Sequence, residues 1–212
     1  MSNLDLEEQE QLAELKAWWR QHGNQVVMAI TVVLLAFAAW NAWTWYQRNQ
    51  AAQAAPVYAE LQKAARAGDA KAAREAAGTI LENYPRTSYA AMAALLSAKV
   101  HFQNGDLKTA RAQLQWAADN ARSEELKTLA RLRLANVMID EGALEAALKV
   151  LTVAAPDAFA AALAATRGDV LALQKKDAEA RAAYKLALEK REGLDPTLRD
   201  VVQLKLDALG DG

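Results

Sequence analysis

Few residues in this chain are placed to do covalent or redox chemistry. The two histidines, His22 and His101, stand 79 positions apart with no cysteine beside them, so a zinc site built on imidazole and thiolate is not expected. Without thiols, disulfides and thiolate metal centres are excluded. The four serines, Ser2, Ser88, Ser97 and Ser123, lie outside any nucleophile-elbow context. Neither a phosphate-cradling loop, nor a dinucleotide-binding glycine cluster, nor an HExxH pair is present. The adjacent acids Glu124-Glu125 and Asp140-Glu141 read as solvated helix faces or caps. The expectation is therefore no enzyme, no metal and no cofactor. The chemistry that remains is non-covalent: apolar contact, aromatic stacking and hydrogen bonding.

The elements that must present such surfaces are helical. Hydrophobic residues make up 53% of the 212 residues, and the excess falls in two places. One is a continuous apolar run; the other is alanine spread through the last three quarters of the chain, which favours closely packed helices. Net charge is -1, from 25 basic and 26 acidic residues, so no basic excess points to nucleic acid.

From Gln21 to Gln47 there are 27 residues without a charge. The apolar heart, residues 26–46, matches the roughly 20 helical residues that cross a bilayer. Trp18 and Trp19 precede it, and Trp40, Trp43 and Trp45 close it, the places where indole rings anchor at the headgroup boundary of a lipid bilayer. A cleaved signal peptide is the competing reading, with Ala36-Phe37-Ala38 as its cleavage motif. The start is too long and too acidic for that, since Asp5, Glu7, Glu8, Glu10 and Glu14 outnumber Lys16 and Arg20. Residues 5–20 read as a short amphipathic helix with Leu12, Leu15 and Trp19 on one face. Positive charges near the span do not decide its orientation.

Beyond the span the chain repeats. Gly68, Gly105 and Gly142 are spaced by 37 residues. Five positions after each comes an alanine (Ala73, Ala110, Ala147), then an apolar residue four later (Ala77, Leu114, Leu151) and another three after that (Ile80, Ala117, Ala154). A degenerate fourth unit keeps Ala180, Tyr184 and Ala187 but has Lys175 in place of the glycine. Each unit predicts two antiparallel helices joined at the glycine, with alanine at their closest approach. This is the tetratricopeptide pattern, slightly stretched. Residues 195–212, opening with Asp195-Pro196, predict a capping helix and tail whose Leu198, Val202, Leu206 and Leu209 share a face. The predicted fold class is all-α: a single transmembrane helix, then an α-solenoid of about four repeats and a C-terminal cap. The expected divisions are a tail (1–25), the span (26–46), a short connector (47–56), the repeats (57–194) and the cap (195–212).

The first helix of each unit lines the inner curve of such a solenoid. The exposed candidates there for binding protein are Tyr58, Gln62, Lys99, Phe102, Gln103, Arg133, Asn136, Asp140 and Asp169. Their mixture of aromatic, amide and charged groups suits a polypeptide segment.

Several stretches together resemble the YfgM family, ancillary subunits of the SecYEG translocon of Gram-negative bacteria. They are the acidic tail, the Trp-rich exit of the span, Ser88-Tyr89-Ala90, Glu125-Leu126-Lys127, Leu132-Arg133-Leu134-Ala135, Arg167-Gly168-Asp169 and Ala180-Arg181-Ala182. The resemblance implies an inner-membrane anchor with the N-terminus in the cytoplasm and the repeats in the periplasm. It implies association with SecYEG and with the membrane-anchored periplasmic chaperone PpiD, a part in handing on newly exported polypeptides, and a link to an envelope-stress response regulator. A repeat scaffold for another envelope machine, in division, secretion or outer-membrane assembly, is the alternative.

Overall fold

The computed structural model describes residues 6–190 and 195–210, and among them every regular element is helical. The parts of the predicted tail, repeats and cap at 1–5, 191–194 and 211–212 lie outside the described residues. In chain order the helices are α1 (Leu6–Ala67), α2 (Ala70–Asn83), α3 (Ser88–Gln103), α4 (Leu107–Asn120), α5 (Glu124–Asp140), α6 (Leu144–Leu151), α7 (Asp157–Leu173), α8 (Asp177–Glu189) and α9 (Pro196–Ala208). The chain divides into two compact units, Met1–Asn49 and Gln50–Gly212. Residues 47–56, expected as a connector, are helical within α1, with Pro56 inside the helix.

In the second unit the four hairpins pair the end of α1 with α2, α3 with α4, α5 with α6, and α7 with α8. All four turns are built alike. Gly68, Gly105 and Gly142 have φ of +69°, +77° and +74°, and Lys175 takes the same left-handed conformation at +61°. The next residue donates its N–H back five positions: Asp69 to Ala64, Asp106 to His101, Ala143 to Met138 and Lys176 to Leu171, at 2.8–3.0 Å. This bond satisfies a carbonyl the helix end would otherwise leave unpaired. Asp69 and Asp106 then cap the following helix, accepting from the N–H groups of Ala72 (3.0 Å) and Thr109 (3.1 Å). Ala143 and Lys176 provide no such side-chain cap.

The signature alanines Ala73, Ala110, Ala147 and Ala180 are completely buried, as are Ala77, Ala117 and Ala187. Ala154 departs from the expected pattern: α6 stops at Leu151, and Ala154 is exposed in the segment before Pro156. Pro156 disfavours helical geometry only at the residue before it, Ala155, so α6 ends further back than the proline alone requires. Second helices pack on the first helix of the next unit, so the core runs on from hairpin to hairpin. Leu61, Ile80 and Val100 centre the first cluster, Leu134 and Val170 the middle one, Tyr184 and Val202 the last.

The far end is closed by α9, whose N-cap Asp195 accepts from the Leu198 N–H at 2.9 Å. Val202 is fully buried against α7 and α8, with Leu198, Leu206 and Leu209 beside it. The outer face of this cap is not wholly polar, because Val201 and Leu204 are exposed. Two groups latch it. Arg181 donates to the carbonyls of Leu209 and Gly210, both at 3.0 Å. Lys205 donates to both oxygens of Asp169, at 2.7 and 2.8 Å. Gly168 makes room for this latch: a Cβ there would lie 2.4 Å from the Tyr184 ring, whose hydroxyl donates to Asp169 at 2.8 Å.

Two substitutions test this packing by thermal unfolding followed by circular dichroism. Lys175→Gly is expected to stabilise by about 0.5–1 kcal/mol, since the left-handed strain it relieves, about 1–2 kcal/mol, is partly offset by glycine's unfolded-state entropy. Gly168→Ala is expected to cost about 1–3 kcal/mol by overpacking. Unchanged melting for both would remove the turn and the α7–α8 approach as determinants of stability.

Candidate functional site: a membrane-spanning helix and an inner repeat face

In the first unit, α1 carries a segment long and apolar enough to cross a membrane, and none of that segment is buried within the protein. Its large side chains, from Val27 and Met28 through Leu34, Leu35 and Phe37, are exposed. Lipid would satisfy them, because every backbone group of a helix is already bonded internally. The hydroxyls of Thr31 and Thr44 donate back to the carbonyls of Val27 (2.8 Å) and Asn41 (2.9 Å). Trp19 and Trp40 are separated by about 31 Å of helix rise, close to the ~30 Å hydrocarbon thickness. At the first end, Trp18 stacks on His22 with centroids 5.3 Å apart, and the Trp19 indole lies over Gly23. At the other, Trp43 tilts against Tyr46 at 6.2 Å, while Trp40 and Trp45 are open.

In the second unit, the repeat geometry aligns one position from each first helix. Gln62, Lys99, Asn136 and Asp169 each stand six residues before the left-handed turn residue. Two grooves run beside this row. One, of about 430 Å³, lies between α1 and α3 and brings together Tyr58, Gln62, Lys99 and Gln103 with Arg66 and Leu96. The other, of about 380 Å³, lies between α3 and α5 and brings together Lys99, Phe102, Arg133 and Asn136 over Leu95 and Val137. Lys99 belongs to both. Tyr58 is half-buried against Tyr89, with ring centroids 5.4 Å apart, while Phe102 is 40% exposed. Such volumes hold a few side chains of a partner, as binding clefts do.

Seven of the nine candidates thus line these two grooves. Asp140 is exposed one turn beyond Asn136 and lines neither. Asp169 is not a free surface acid, because Tyr184 and Lys205 occupy its carboxylate. Among the described residues no three metal-binding side chains cluster.

The sequence reading missed Arg66 and the residues that stitch one unit to the next. Arg74 reaches Asp106 at 2.8 Å and the Thr109 hydroxyl at 3.1 Å; Arg111 reaches Glu141 at 2.8 Å; Arg181 reaches the end of α9. The signal was present: each arginine directly follows the signature alanine of its unit. The third unit has Leu148 there, which packs between clusters instead. His101 sits beside the first stitch, 1% exposed, with Nδ1 3.2 Å from Asp106 Oδ2 but off the line of a good hydrogen bond. Burial and the nearby Arg74 guanidinium hold its pKa below 6.5, against the opposing pull of Asp106. The hydroxyl and N–H of Thr109 hold the Asp106 carboxyl below its usual range. A hydrogen bond from the Ser123 hydroxyl does the same for Glu125.

Comparison with known proteins bears on both units at once. The profile of the tetratricopeptide repeat-like domain family matches residues 16–211. The chain is 32% identical over 208 residues to the ancillary SecYEG translocon subunit of Neisseria gonorrhoeae, covering 96% of this chain and 98% of that protein. It is 29% identical over 209 residues to the subunit of the same name from Aggregatibacter actinomycetemcomitans, with the same coverage. The Escherichia coli subunit is 28% identical over 203 residues, covering 95% of this chain and 96% of that one. The similarity therefore runs through the apolar helix as well as the repeats.

The buried imidazole sets a pH dependence. With a native pKa below 6.5, the unfolded chain takes up the proton first. Stability is therefore complete above about pH 6.5 and falls on acidification below it, by at most ~1.4 kcal/mol per pH unit. Asp106 and Glu125, whose native pKa values are also lowered, add their losses only below about pH 4. Urea unfolding between pH 7.5 and 5 is expected to show a decline that His101→Leu flattens; an equal decline in both would exclude His101 as its source.

Proposed function

The chain belongs to the tetratricopeptide repeat-like family that includes the ancillary SecYEG translocon subunits, and on that premise we propose that it is a non-catalytic, protein-binding subunit of the bacterial inner membrane attached to that translocon. The observation that carries the reading is the near-complete coverage of relatives bearing that name, joined to an inner repeat face whose grooves lie open. In this reading the apolar part of α1 crosses the bilayer, with Trp18, Trp19, Trp40, Trp43 and Trp45 at its two boundaries. The N-terminus lies in the cytoplasm and the repeats in the periplasm. The inner face, from Tyr58 and Gln62 through Lys99, Phe102, Gln103, Arg133 and Asn136 to Asp140 and Asp169, meets newly exported polypeptide and assists its handover to the membrane-anchored chaperone PpiD. An envelope-stress response regulator is a further partner in this reading.

The physical basis is division of labour between the two units. A lipid-facing helix fixes the protein near a channel mouth, where emerging chains are locally concentrated. The repeat face then needs only weak, broad affinity. Asp169 contributes through the cap latch, since its charge is already used.

In vivo photo-crosslinking from Tyr58, Phe102 and Asn136 tests the reading. Adducts with channel components, PpiD and varied exported chains are expected from these positions and not from outward-facing Lys71 or Glu179. A single constant partner from another envelope machine, or no adducts at normal expression, would overturn it.

A further inference from the structure

The charge of the inner face is uneven along the repeats. Arg66, Lys99 and Arg133 line the two adjoining grooves, and among the described lining residues there is no carboxylate. None of the three cations is paired with a carboxylate among the described residues. This separation is not forced by composition, because the whole chain carries a net charge of -1. Two carboxylates at the neighbouring turns are held by other groups: Asp106 by Arg74, and Glu141 by Arg111. Both of these acids are committed to joints between units and line neither groove. Beyond Asn136 an exposed acid, Asp140, follows, while the Asp169 carboxylate is paired with Lys205.

Between the cations the grooves are apolar and amide-rich. Leu95, Leu96 and Val137 form floor and wall, with the Phe102 ring at the edge. Gln62, Gln103 and Asn136 place carboxamides along the same path. A carboxamide both donates and accepts, so it can bond the peptide groups of an extended chain whatever its side chains. Free guanidinium and ammonium groups select carboxylates by charge and, for arginine, by bidentate geometry.

We propose that the paired grooves around Lys99 take an extended polypeptide segment that is both acidic and apolar, its carboxylates at Arg66, Lys99 and Arg133 and its apolar side chains over Leu95 and Val137. This deepens, and rests on, the reading of the inner face as polypeptide-binding. Selectivity comes from the charge, and tolerance of many sequences from the amides and the shallow apolar floor. A basic segment is turned away by three like charges.

The test uses the full chain in lipid nanodiscs and three fluorescent decapeptides of matched length: one of Asp and Leu, its Asn/Leu isostere, and a Lys/Leu counterpart. Anisotropy titration is expected to rank them in that order. The Asp/Leu peptide should bind at least about tenfold more tightly than the isostere, with an advantage that shrinks from 50 to 500 mM salt. Lys99→Glu/Arg133→Glu, checked for native circular dichroism, should abolish the preference and raise affinity for the Lys/Leu peptide. If that variant does not fold, the salt dependence and ranking with the unmodified protein decide the question. Equal binding of the Asp/Leu and Asn/Leu peptides, or stronger binding of the Lys/Leu one, would overturn the charge selectivity. If crosslinks from Phe102 persisted alongside such a result, the general polypeptide-binding role would stand while this selectivity fell. Loss of both peptide binding and crosslinks would remove the two together.

Discussion

Every hairpin of the repeat unit depends on one residue leaving its first helix in the left-handed conformation. Only that backbone turn lets the following N–H reach back five positions and bring the second helix alongside the first. Once it is made, the position five residues later must fit between two helix backbones, and alanine fills it in all four units without exposed surface. The cost of left-handed geometry is small for glycine and appreciable for lysine. Lys175 shows that the packing of α7 and α8 overrides local preference when the two disagree.

Stacking of the hairpins is secured by a different set of bonds. Arginines following the signature alanines reach the next turn or the end of the cap, so each unit is held by its neighbour as well as by its own core. At the far end Gly168, Tyr184, Asp169 and Lys205 join α7, α8 and α9 in one arrangement. That arrangement supplies a physical reason for Arg167-Gly168-Asp169, a stretch that stood out in the sequence. The glycine admits the ring, and the carboxylate takes both its hydroxyl and the cap's ammonium group. Acids serve these joints, while Arg66, Lys99 and Arg133 of the inner face form no ion pair with a described carboxylate.

The inner row follows from the same geometry. Because the turns are alike, residues six positions before them fall in register, and first helices of successive units lie side by side. Groove formation then needs only small residues between large ones, such as Ala98 between Leu95 and Phe102. The apolar part of α1 obeys a separate rule. None of it is buried within the protein, and an apolar helix with closed backbone bonds would be complete in hydrocarbon.

The sequence alone determined what depends on local chemistry and strict periodicity. The apolar run and its tryptophan borders, the glycine turns, the buried alanines and the terminal helix opened by Asp195-Pro196 were all legible, because each is set by residues within a few positions of one another. The early end of α6, with Ala154 left outside it, was not legible: the alanine spacing runs on through Ala154 while the helix ends at Leu151. Nor could spacing reveal that Asp169 is spent on Lys205, 36 residues away, or that Arg74 reaches across 32 residues to Asp106. Candidate inner-face residues were readable as a helix row, but which of them share a groove, and which charges stay free within it, was decided only by tertiary structure. Pairing of charges depends on distances across helices that no pattern along one helix encodes.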